Sequence, residues 1–165
     1  MAMEKSFIDE LTREAETTKR VLERVPQSKL SWKPHPKSWS LGQLALHIAQ
    51  VPGAIAELIS PLEREVGNFT QLEAKSTAEL FKALDESVAN AKTKLAGWGD
   101  NGLMSEWKLK AGPKTIVAMP RIGMVRSVML NHWYHHRGQL AVYLRLLDVP
   151  VPSIYGPSAD ENPFS

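Results

Sequence analysis

The apolar spacing between Phe81 and Trp98 constrains this chain more than any other feature. Phe81, Leu84, Val88, Ala91, Leu95 and Trp98 follow one another in alternating steps of three and four. That rhythm puts them on one stripe of an α-helix, the seam of a helix packed nearly parallel or antiparallel to its neighbours. The segment opens with Ser76-Thr77-Ala78-Glu79, a capping box in which the Ser and Glu side chains satisfy each other's backbone N–H groups.

Three more segments carry a helical period. The first runs from Ser6, read as its N-cap, to Val25, with Phe7, Leu11, Val21 and Leu22 apolar and Glu10, Arg13, Glu14 and Lys19 on a solvated side. A second runs from Ser40 to about Ile59. Ser40 and Gln43 form its capping box, and Trp39 and Leu44 are placed for a hydrophobic staple. Pro52 lies inside it, cannot donate to Ile48, and is expected to kink it one turn beyond His47. The last runs from Pro120 to Leu147. The long connection 99–119 could hold a small hairpin, 106–110 with 114–118, and connections of that length often act as lids. The tail from Pro150 carries four prolines and is expected to be extended. The fold class predicted is all-α: one four-helix-bundle domain over residues 1–165.

Composition narrows the function. The chain has 165 residues, 43% hydrophobic, which is ample for one core. Lys+Arg number 20 against 18 Asp+Glu, scattered rather than clustered, so no nucleic-acid face is expected. The charged start lacks a signal-peptide core, and the longest uncharged stretch, 38–56, is too polar to span a bilayer. The expectation is a cytoplasmic protein with no membrane partner. With no Cys, the chain has no thiolate ligand and no sulfur nucleophile. Thiol chemistry would need a sulfur from another molecule.

The chemistry concentrates in the last helix, Met129-Leu130-Asn131-His132-Trp133-Tyr134-His135-His136-Arg137-Gly138-Gln139-Leu140. At 100° per residue, His132 and His136 lie within about 40° of each other. Val125, Met129, Tyr143 and Leu147 continue the stripe, which implies that this face points into the bundle. Burying polar groups without partners costs about 2–7 kcal/mol, so two imidazoles one turn apart need something central to bind. Their spacing aims two ring nitrogens at one cation. His47 shares a helix face with Leu44, Ile48 and Val51, which gives three inward histidines. Three imidazoles plus one open position suit a first-row divalent metal such as zinc, and also nickel, iron or copper. The bland alternative is three satisfied core histidines. His135 and Gln139 are candidates to support the ligands from behind or to touch substrate. Gly138 would let a neighbouring helix or a substrate approach. His35, between two prolines, reads as a surface residue and Trp39 as packing.

The run His132-x-x-x-His136-Arg137-Gly138-Gln139 resembles the helix-4 signature of the DinB-like (DinB/YfiT-like) superfamily. Trp39-Ser40 followed by His47 resembles its helix-2 half, and Tyr155 to Glu161 resembles the ending of many members. The likeness extends from about Trp32 to Glu161. It implies a four-helix bundle with a divalent metal, zinc or nickel, on His47, His132 and His136, and commonly a homodimer. It also implies a small-molecule substrate. Better understood relatives are thiol-dependent transferases that use bacillithiol, mycothiol or glutathione as cosubstrate. Others are metal-dependent hydrolases or stress-induced proteins. Three readings follow: an S-transferase acting on small electrophiles in stress or detoxification; a hydrolase using metal-bound water; and a non-enzymatic metal-binding stress protein. The hydrolase needs a base, for which His135 is a candidate, while Glu57 lies about 80° round its helix from His47.

Overall fold

The computed structural model describes residues 2–164. Its bundle consists of α1 (Met3–Leu22), α2 (Leu41–Leu58), α3 (Thr77–Met104) and a composite last helix. The composite joins α4 (Arg121–Met124), a π-helical stretch (Val125–Leu130) and α5 (Asn131–Leu146). α3 packs against α1 and α2, and α5 lies against α2. Leu84, Val88, Ala91 and Leu95 are buried as the seam requires. No described helix is long and apolar enough to cross a membrane.

The all-α expectation needs correcting. A three-stranded sheet of β1 (Glu63–Glu65), β2 (Glu106–Ala111) and β3 (Lys114–Pro120) stands beside the bundle. β2 and β3 are the antiparallel hairpin foreseen in the long connection, turning through Gly112 at φ 56°. β1, parallel to β2, had no sequence signal. Its three residues are all charged and exposed, so it carries no alternation and forms only because β2 offers a free edge.

Local chemistry accounts for the helix ends. The box at α2 is reciprocal: Gln43 N donates to Ser40 Oγ at 3.1 Å, and Ser40 N to Gln43 Oε1 at 2.9 Å. The box at α3 is only half formed. Glu79 N donates to Ser76 Oγ at 3.2 Å, but the Glu79 carboxylate accepts from Lys75 N instead. α1 begins at Met3 rather than at Ser6, and Met3 N donates to Asp100 Oδ1 at 2.6 Å. α3 is interrupted at Gly99 (φ 55°, ψ −171°), a conformation that favours glycine, and one more helical turn follows. α2 runs through Pro52 as a single helix. Its close approach to α3 depends on Gly53, where a Cβ would sit 2.8 Å from Ser87 Cα.

The burial stripe of the last helix also departs from expectation. Val125 and Met129 are buried, but beyond the π stretch the buried positions are Trp133, Arg137, Leu140 and Leu144. A π turn takes in an extra residue, so the core stripe moves on by one and a strict 100° count across it fails. His132, His136 and Tyr143 are therefore half-buried at the edge of the core, and Gln139 is exposed.

The tail beyond Pro150 has no regular element but is fastened to the bundle. Arg20 pairs with Glu161 and Arg145 with Asp160. The Tyr155 hydroxyl donates to Glu14 Oε2 at 2.9 Å.

Candidate metal centre

α2 supplies His47, and α5 supplies His132 and His136 one turn apart. One ring nitrogen from each lies within 4.8 Å of the others. The closest pair, His47 Nε2 and His132 Nε2, is 3.2 Å apart.

Each ring is held from behind. His47 Nδ1 faces Gln71 Oε1 at 3.0 Å, and the amide is oriented because Gln71 Nε2 donates to the Leu72 carbonyl. His136 Nδ1 faces Gln139 Oε1 at 2.7 Å. His132 hydrogen-bonds the backbone of Val128, one turn earlier. Acceptors at these positions keep the ring protons on the outer nitrogens and leave lone pairs on the inner ones.

Burial, reinforced by the neighbouring His136, pushes His47 down to about 4, and burial lowers His132 and His136 as well. All three rings are therefore neutral at pH 7. Two neutral nitrogens meeting lone pair to lone pair are repulsive unless a cation lies between them. Tetrahedral ligands at zinc–nitrogen distances of 2.0–2.1 Å sit about 3.3 Å apart, close to the separation of His47 and His132. The donor set fits a divalent metal and could hold one.

Two aromatic side chains wall the trio. The Trp39 ring centroid is 4.9 Å from His47 and 5.8 Å from His136, stacked on the latter. Phe69, 67% exposed, lies 5.8 Å from His47 and 6.4 Å from Trp39. Tyr143 positions Trp39 by donating to its carbonyl at 3.3 Å. Two hollows flank the histidines. One, of about 290 Å³, is lined by Lys37, Ser38, Trp39, His136, Gln139 and Tyr143. The other, of about 270 Å³, runs from His47 and His132 along α2 beneath Phe69.

Two expectations shift here. No residue of 99–119 lines either hollow; the segment that overhangs the histidines is the one carrying Phe69 and Gln71. Gly138 admits no neighbouring helix, since a Cβ there would meet nothing within 4 Å. Arg137, in the middle of the signature, points away from the trio and is buried against Glu14. His135 is exposed, with its ring 5.0 Å from His136. His35 lies exposed in its loop, as expected. Sequence reasoning missed Gln71 and Phe69 altogether, because the irregular stretch before α3 gives no periodic signal. It took Trp39 for a packing residue.

The chain matches the DinB family over residues 1–162 and belongs to it. It is 28% identical over 154 residues to YrdA of Bacillus subtilis (strain 168), covering 90% of this chain and 85% of that one. Among solved structures, a DinB-like protein from Bacillus cereus ATCC 10987 superposes with a TM-score of 0.70 at 23% identity, covering 93% of this chain and 98% of the other. The DinB-like protein YjoA of Bacillus subtilis gives 0.66 at 18% identity, covering 88% and 95%. These two likenesses establish the shared fold.

Proposed function

We propose that the chain is a metal-dependent enzyme that joins a low-molecular-weight thiol to a small electrophile, in stress or detoxification chemistry. The observation that carries this reading is the trio His47, His132 and His136, neutral, convergent and open to two hollows, in a chain without a cysteine. Zinc or nickel suits the three imidazoles. When bound, such an ion supplies a Lewis acid that favours the deprotonated form of a thiol.

The chain's own residues do the rest. Gln71, Gln139 and the Val128 backbone fix which ring nitrogens face inward. Trp39 stacks on His136 and screens one side from water. Lys37, at the mouth of the hollow beside His136, offers a cation to the carboxylates that thiols such as glutathione and bacillithiol carry. Gln139 and His135 thus support or border the site rather than attack substrate.

Hydrolysis ranks second. No Asp or Glu lines either hollow. Glu57 faces α3, where it accepts from Asn90 Nδ2 at 2.9 Å and pairs with Lys94 at 3.3 Å.

The test begins with elemental analysis of untagged protein prepared without chelators, beside His47→Ala and His132→Ala. Near-stoichiometric metal, lost in both variants, is expected. Zinc- and nickel-loaded protein is then assayed with thiols against a panel of electrophiles. Product that requires both metal and thiol supports transfer. Turnover without thiol favours hydrolysis, and a fully loaded protein inert across the panel overturns the transferase reading.

A further inference from the structure

The hollow beside His47 and His132 has the shape of a slot with chemistry at one end only. His47, Val51, Ala54 and Leu58 step along α2 by four, three and four, so the face that carries the histidine continues as an apolar stripe. Beyond the buried Val51 the stripe is only partly covered: Ala54 is exposed, and Ile55 and Leu58 are half-buried. Instead Phe69, exposed yet turned back over His47, overhangs the stripe. The volume of this partly open slot, about 270 Å³, matches roughly nine waters of liquid. Its lining offers no charged group; the polar side chains are the two neutral imidazoles and Gln71 at its end and Gln50 at its rim.

Resting on the metal reading above, we propose that this slot binds the apolar body of the substrate, a chain or ring of about six to nine carbons, with the reactive centre held at the histidine end. The other hollow, with Lys37 and Gln139, is left to the polar cosubstrate. Water in a slot with walls of Val51, Ile55, Leu58 and Phe69 finds few hydrogen-bond partners, so displacing it by hydrocarbon favours binding. The substrate class is therefore small amphiphilic electrophiles with an unbranched or flat apolar tail, rather than charged metabolites.

The probe is a homologous series of n-alkyl hydroxamic acids, from acetohydroxamic to octanohydroxamic acid, titrated into zinc-loaded protein by calorimetry. The hydroxamate binds the metal and the tail reports the slot. Each added methylene is expected to tighten binding about threefold to fourfold, up to the length that fills the slot. Ala54→Phe, a change at an exposed position, should abolish this length dependence and leave acetohydroxamic acid within twofold of wild type. Phe69→Ser should weaken the longest member at least fivefold more than the shortest. If the loaded protein holds zinc but binds the two-carbon and eight-carbon members equally, the slot assignment is overturned while the metal reading stands. If elemental analysis finds no zinc in the loaded protein, both fall together.

Discussion

The indole N–H of Trp133 donates to the carbonyl of Ile48 at 2.8 Å, the carbonyl that Pro52 cannot serve because it has no N–H. Ile48 follows His47 and Trp133 follows His132, so one buried bond between α2 and α5 sets the distance between the two histidines whose ring nitrogens approach most closely. Trp133→Phe should cost about 1–3 kcal/mol by leaving that carbonyl unsatisfied, read as a lower urea midpoint. In a Pro52→Ala background, the restored backbone N–H can serve the carbonyl from within α2, so the same substitution should cost less. A double-mutant cycle measures this coupling, and strict additivity would refute the assignment.

Removing the supports behind the rings should weaken metal binding without abolishing it. Gln71→Ala and Gln139→Ala each release an Nδ1 acceptor, and losses of that kind run to about 10–100-fold in affinity. Competition with a colorimetric chelator measures the change. Both variants should still reach one metal per chain at saturating zinc.

Arg137 should prove structural despite its place between the site residues. Its side chain is 1% exposed, donates to Glu14 Oε2 at 2.6 Å and Thr18 Oγ1 at 3.1 Å, and packs against the rings of Tyr134 and Tyr155. Arg137→Ala removes the counter-charge of the half-buried Glu14 carboxylate, which keeps only the Tyr155 hydroxyl as a donor, and opens a void, a loss of about 3–5 kcal/mol. Chemical denaturation should show that loss. Zinc stoichiometry at low temperature should be unchanged.

The metal-free protein should weaken as pH falls from about 6.5 toward 4. The unfolded chain takes up protons on its histidines near 6.5, whereas folded His47 refuses one until about 4 and His132 and His136 are also lowered. Across that window the unfolded state binds more protons, so stability rises with pH. Denaturation at pH 7, 6 and 5 checks the slope, and His47→Gln should flatten it. Zinc binding at pH 7 should draw almost no proton from the three rings, which are already neutral, so any release into a weakly buffered solution would come from water held by the ion.

Much of this protein was legible in the sequence because it rests on repeats and pairs. The three-and-four steps from Leu84 to Leu95, the Ser40–Gln43 box and the spacing of His132 and His136 each state a local geometry that packing then keeps. The remainder depends on events with no local signature. The π turn before Asn131 moves the buried stripe from the His132 face to Trp133 and Arg137, which turns an expected interior site into an open cleft. β1 exists through a backbone edge supplied by β2 some forty residues later. Gln71 and Phe69 reach His47 from an irregular segment, where only the folded path of the chain brings an amide and a ring to the back and rim of one imidazole.

His47 and His132 are separated by 85 residues in sequence, and this spacing orders events in time as well as in space. At synthesis rates of about 5–20 residues per second, roughly 4–17 s pass between the addition of the first histidine to the growing chain and that of the second. During that interval His47 is a lone imidazole on an incomplete bundle, a weak ligand for whatever cation is at hand. Selection among ions thus falls to the finished chain after α5 has docked, when three donors act together. An ion held by the trio would then reflect the supply around a folded protein rather than around the ribosome.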